Sequence, residues 1–154
     1  MTIEIIKSKQ KNNTKGFTLI ELLVVIGILT ILLSIVLVAI NPARQFSQAN
    51  DTQRRSDVSA LLNAIHQYSA DNKGALPAGI GATALNIGST GVNLCATLVP
   101  TYLAQLPVDP TTGIGTTNCA TYHSTGYTVL KSGASNRLTV SAPSAEAATI
   151  SVTR

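Results

Sequence analysis

The sequence predicts an α+β chain. A long N-terminal helix, apolar in its first half and amphipathic in its second, packs on a small C-terminal antiparallel sheet. Three observations predict it. Residues 17–40 are almost wholly apolar, with Glu21 their one charge. Val58, Leu61, Leu62, Ile65 and Tyr68 recur at helical spacing. The last third alternates apolar and polar residues in short runs bounded by Gly, Ser and Pro.

The chain opens on a basic leader, residues 1–16, in which Lys7, Lys9, Lys11 and Lys15 face only Glu4. Such a bias holds this end in the cytoplasm and sends the rest outward. As a helix, residues 17–40 would rise roughly 36 Å, enough to cross a ~30 Å hydrocarbon core. The many β-branched residues would favour strand in water. In lipid a lone segment must bond its own backbone, so helix wins. A secretory signal peptide fits less well. Its apolar region is about 7–15 residues and ends at a small-x-small site, whereas Val38-Ala39-Ile40-Asn41 is a poor cleavage site. Glu21 costs roughly 2.5–3.5 kcal/mol inside a membrane, which marks it as functional and in need of a partner.

Lys15-Gly16-Phe17-Thr18-Leu19-Ile20-Glu21-Leu22 resembles the class III signal of type IV prepilins and of type II secretion pseudopilins. The resemblance covers the N-terminal third. It implies a pilin-like fold and cleavage between Gly16 and Phe17 by a membrane-embedded prepilin peptidase. It also implies N-methylation of the new Phe17 amine. In such families the carboxylate matching Glu21 is thought to pair with the N-terminal amine of a neighbouring subunit. Physically, cleavage creates a cation at Phe17, about one helical turn from Glu21. Each charge is costly in lipid, and their attraction grows as the dielectric falls. An intrachain contact between Glu21 and its own amine is the alternative.

Processing changes the charge argument. The precursor carries +4, but residues 17–154 hold seven basic and six acidic side chains. The basicity belongs mainly to the leader, so a nucleic-acid-binding surface is not supported.

Past Ile40, Pro42 is placed either to kink the helix or to start a new turn. An amphipathic helix over residues 41–73 follows, stopped by Asn72-Lys73-Gly74 and Pro77. A single helix from Phe17 to Lys73 would be roughly 85 Å long. Residues 74–154 form a loop-rich head. Residues 74–126 show little periodicity beyond a short helical turn within 94–106. Strands are expected at 127–130, 137–141 and 149–152, with a turn at Ser132-Gly133-Ala134-Ser135.

Cys95 and Cys119 are the only cysteines, both in the exported part, which favours a disulfide. Two free thiols are the alternative, and zinc would need about four ligands. The pair also resembles the disulfide-bounded region of many pilins. No catalytic set emerges. His66 lies at the edge of the helical stripe as a surface or packing residue, and His123 is a loop residue as easily solvated. No phosphate-binding loop and no cofactor motif are present. Leu106-Pro107-Val108-Asp109-Pro110 resembles an element of major pseudopilins, some of which bind calcium in the following loop. Asp109 is therefore a weak calcium candidate. It lacks the Trp-Gly that commonly follows, and calcium wants about six to eight oxygens. A Pro-bounded turn is the simpler reading.

The expected function is that of a non-enzymatic filament subunit, held in the cytoplasmic or inner membrane before assembly into an extracellular or periplasmic filament. The resemblance implies copies of the chain, a prepilin peptidase, and an assembly ATPase acting through a platform membrane protein. A secretion pseudopilin, a competence pilin, and a single-pass anchored binding protein that never polymerises are the competing readings.

Overall fold

The computed structural model describes residues 16–115, 119–133 and 137–154. The lysines of the leader, and Ala134 and Ser135 of the expected turn, lie outside the described residues. The chain forms two units, Met1–Asn41 and Pro42–Arg154.

The first unit contains α1, Leu19–Ile40, capped by Thr18. None of its side chains is buried, and its mean hydropathy of 3.2 reflects an apolar surface on every side. By length and composition it can cross a membrane. α1 ends at Asn41, whose φ of 48° is left-handed, a conformation that Asn tolerates better than most residues. Pro42 then begins α2, Pro42–Asp71. The expected single helix through residue 73 is thus corrected to two helices. Pro42 has no N–H to donate to the carbonyl four residues back, and its ring disfavours helical backbone at Asn41.

Within the second unit, α2 buries Asp51, Arg54, Val58, Leu61, Leu62, Ala64 and Ile65 along one face. That face packs on two strands, β3 (Leu138–Ala142) and β4 (Ile150–Thr153). Fully burying a Leu, Ile or Val contributes about 1.5–3 kcal/mol, so the stripe is what fastens the helix to the sheet. Tyr68 is half-buried and meets Tyr102 edge-on, with ring centroids 5.9 Å apart. The helix stops where its Asn-Lys-Gly signal predicts. The Gly74 N–H reaches back to the Ser69 carbonyl at 2.8 Å, and Lys73 and Gly74 adopt φ of 56° and 89°.

The sheet is a four-stranded antiparallel meander. Its order is β1 (Leu85–Gly88), β2 (Ser124–Lys131), β3 and β4. Alternation sets which face is buried: Thr125, Tyr127 and Val129 on β2, then Leu138, Val140 and Ala142 on β3. Three of these strands match the expected runs, with bounds shifted by up to three residues. β1 was not expected. It is only four residues long, and its pairing with β2 shifts register between Asn86 and Gly88. Gly88 is required there, since a Cβ would sit 2.6 Å from the His123 carbonyl oxygen. The helical turn expected within 94–106 is α3, Cys95–Leu98.

Cys95 and Cys119 are joined by a disulfide, with Cα atoms 5.4 Å apart across 24 residues of sequence. It ties α3 to the segment leading into β2. Replacing both cysteines by Ser should cost the head roughly 3 kcal/mol by loop entropy. Urea unfolding followed by tyrosine fluorescence measures it, because the chain has no Trp. An unchanged midpoint would show that the bond contributes nothing.

Candidate functional site

Gly16, Phe17 and Thr18 precede the first turn of α1 with no regular structure. The Gly16–Phe17 bond therefore lies in backbone outside any helical ladder, and Phe17 is 80% exposed. Thr18 is the N-cap. Its side chain accepts the Glu21 N–H at 3.2 Å. In return its own N–H and hydroxyl donate to Glu21 Oε2 at 3.3 and 3.4 Å. This is a capping box: the first turn has orphan N–H groups, and Thr and Glu three apart satisfy each other's. The carboxylate also sits where the helix dipole favours negative charge. The capping role of Thr18-x-x-Glu21 was legible in the sequence and was missed behind the membrane argument. Both bonds fall on Oε2. Oε1 accepts none among the described residues, so one oxygen of Glu21 stays open to a further donor.

A second charged centre lies inside the head, around Arg54. Its side chain is fully buried. Nε donates to Asp109 Oδ2 at 2.7 Å and one terminal nitrogen to Asp109 Oδ1 at 3.3 Å. The same nitrogen reaches the Thr111 hydroxyl at 2.7 Å. The other terminal nitrogen donates to Asp51 at 2.9 Å and to Glu146 at 3.2 Å. Asp51 also accepts the Glu146 and Ala147 N–H groups at 3.0 and 2.7 Å. Glu146 accepts the Ser47 hydroxyl at 2.6 Å. One guanidinium thereby joins α2 to the loop after residue 106 and to the segment entering β4. Gly126 makes room for it: at φ 80°, a Cβ there would stand 2.7 Å from the Asp109 Cβ.

Asp109 belongs to this centre. Besides Arg54, its Oδ1 accepts the N–H groups of Thr111 and Thr112, both at 2.9 Å, and both their hydroxyls, at 2.8 and 3.1 Å. Both oxygens of the carboxylate are thus engaged by donors within the fold. Among the described residues no group of three metal-ligating side chains converges. Asp51-x-x-Arg54 at helical spacing was the readable half of the centre. Asp109 and Glu146 stand 55 and 92 residues from Arg54 and gave no local signal.

The ionisation states follow from these contacts. The Glu146 backbone N–H, with that of Ala147 and the Arg54 guanidinium, outweighs burial and holds Asp51 at about 2. Burial pushes Asp109 up, but Arg54 and the two threonines outweigh it and hold the carboxyl well below the usual range. Ser47 first, then Arg54 and Asn50, lower Glu146. Asp109 in turn raises Arg54 further above its ordinary value.

His66 is half-buried on α2. His123, left open between packing and solvation by its loop position, is 1% exposed. Its Nδ1 lies 3.0 Å from both the Ser89 hydroxyl and the Thr121 carbonyl. It packs there because β1 brings Ser89 alongside.

Residues 11–37 match the family model of the prokaryotic N-terminal methylation motif, the signature of type IV pilins and pseudopilins. No curated protein and no solved structure matches the chain significantly.

Arg54→Ala should strip three carboxylates of their cation and cost about 3 kcal/mol or more, read as a lower urea midpoint of the head. All three carboxyls are depressed in the folded state. Their stabilisation is complete above the unfolded values and is lost as pH falls through the folded ones. Asp51 alone sets a window from 3.8 down to about 2. The head should weaken from about pH 5 downward. Thermal melts from pH 7 to pH 2 check this, and a flat profile would contradict it.

Proposed function

We propose that this chain is a prepilin whose mature form is the structural subunit of a type IV pilus-like filament. The observation that carries the proposal is the junction at residues 16–21. A peptide bond outside the helix precedes an apolar, wholly exposed helix whose only charge, Glu21, lies one turn from the new N-terminus. The methylation signature at residues 11–37 supports the prepilin part directly. Prepilin peptidase cuts between Gly16 and Phe17, and the Phe17 amine is methylated. α1 anchors the precursor in the membrane while residues 41–154 lie outside.

Assembly then follows from the cost of charge in lipid. The Phe17 amine of one subunit meets the Glu21 carboxylate of the next, and each neutralises what the other cannot shed alone. Oε1 of Glu21, free of the capping box, is the natural acceptor. The function is mechanical rather than enzymatic: apolar helices bundle, and the heads tile the outside. An assembly ATPase working through a platform membrane protein would feed subunits into the base.

A secretion pseudopilus is the second reading. Leu106-Pro107-Val108-Asp109-Pro110 favours it, while the missing Trp-Gly and the disulfide weigh against it.

Two measurements test the proposal. Mass spectrometry of the protein from peptidase-competent cells should find a chain beginning at methylated Phe17, and one still carrying the leader would overturn the reading. Glu21→Ala should remain in the membrane yet give roughly tenfold less filament or worse, since each 1.4 kcal/mol of lost pairing is a factor of ten. Undiminished filaments would remove the role of Glu21.

A further inference from the structure

α2 carries a second pair of opposite charges, and within one copy they do not meet. Asp57 edges a groove of about 330 Å³ whose walls include Ala60, Leu103, Leu106, Pro107 and Val108. Its carboxylate accepts the Tyr127 hydroxyl at 2.7 Å. It has no cationic partner, because the three ion pairs found among the described residues all belong to Arg54. Burial accordingly pushes the Asp57 carboxyl up, the direction of a charge short of compensation. Arg55 is exposed and takes part in none of those ion pairs. Two residues along a helix turn it by about 200°. The two charges therefore look out from opposite flanks of α2 at nearly the same height. They cannot meet on their own helix, but two parallel copies side by side can bring them together.

We propose that the Asp57 groove receives the Arg55 side chain of a second copy of this chain, forming an ion pair between the α2 helices of adjacent subunits. This rests on the filament reading above and adds a contact in the head to the one at the N-terminus. Arg suits the groove. Its aliphatic stem can lie along the Leu103, Pro107 and Val108 wall while its planar fork meets the carboxylate. The two patches differ, so the contact is head-to-tail, and each copy leaves one of each open for the next. Contacts of that type repeat without closing unless the rotation makes a ring.

Cysteine cross-linking tests the pair. A chain carrying both Arg55→Cys and Asp57→Cys should give sheared filaments that run as a covalent ladder on a non-reducing gel. Either single variant should run as monomer. The two positions face apart on one helix, so the pair cannot close within a chain. Charge variants provide a second readout. Arg55→Gln, at an exposed position, and Asp57→Asn, which keeps an acceptor for Tyr127, should each lower filament yield several-fold. A double-cysteine filament that stays monomeric on the gel overturns the contact, as does full yield from Arg55→Gln. A ladder from Asp57→Cys paired with Lys73→Cys instead would overturn the choice of Arg55. If the unaltered chain makes no filament, the proposed function falls and this contact with it. If it makes filaments and the cysteine pair fails, only this contact falls.

Discussion

A guanidinium without water must be surrounded by anions, and that requirement organises the head. Arg54 is always charged and has no accessible surface. Its donors can be satisfied only if α2, the 106–112 loop and the segment entering β4 arrive together. Hydrophobic burial along α2 would tolerate small slides of the sheet. The ion pairs do not, because a carboxylate displaced by an ångström or two leaves a buried charge uncompensated. The oily stripe supplies much of the attraction between helix and sheet, and Arg54 specifies the register in which they meet. Gly126 belongs to the same constraint, since it clears the space Asp109 fills.

The N-terminal end obeys the same rule at the start of an exposed apolar helix. Glu21 is the one charge on α1, and Thr18 gives it donors through the first helical turn. Where Arg54 has all its partners inside the fold, Glu21 has half of its acceptors engaged. One centre is finished by folding, and the other keeps one carboxylate oxygen outside its capping bonds.

Periodicity made part of this legible in advance. The α2 stripe and three of the four strands announce themselves, because each buries one face and so must repeat at 3.6 or 2 residues. The capping signals around Thr18 and Gly74 are equally local. β1 escaped because four residues hold too little alternation to register, and its strand character comes from its neighbour β2. Asp109 escaped for a different reason. Its chemistry as an isolated residue suggested a cation, and it does hold one, but the cation is a side chain 55 positions away. The burial of His123 was likewise undecided in the sequence, since only the fold brings Ser89 over it. Long-range polar pairing leaves no periodic trace.

The left-handed Asn41 followed by Pro42 has a consequence for how the molecule comes apart. Helical cooperativity travels through hydrogen bonds from one turn to the next, and a residue with no N–H interrupts that relay. α1 closes its own ladder, and the head holds its own core and disulfide. Fraying that starts in the head has no continuous backbone ladder along which to enter the apolar segment. The chain thus consists of two cooperative units joined covalently. The head can therefore lose its structure while α1 keeps its own helical ladder.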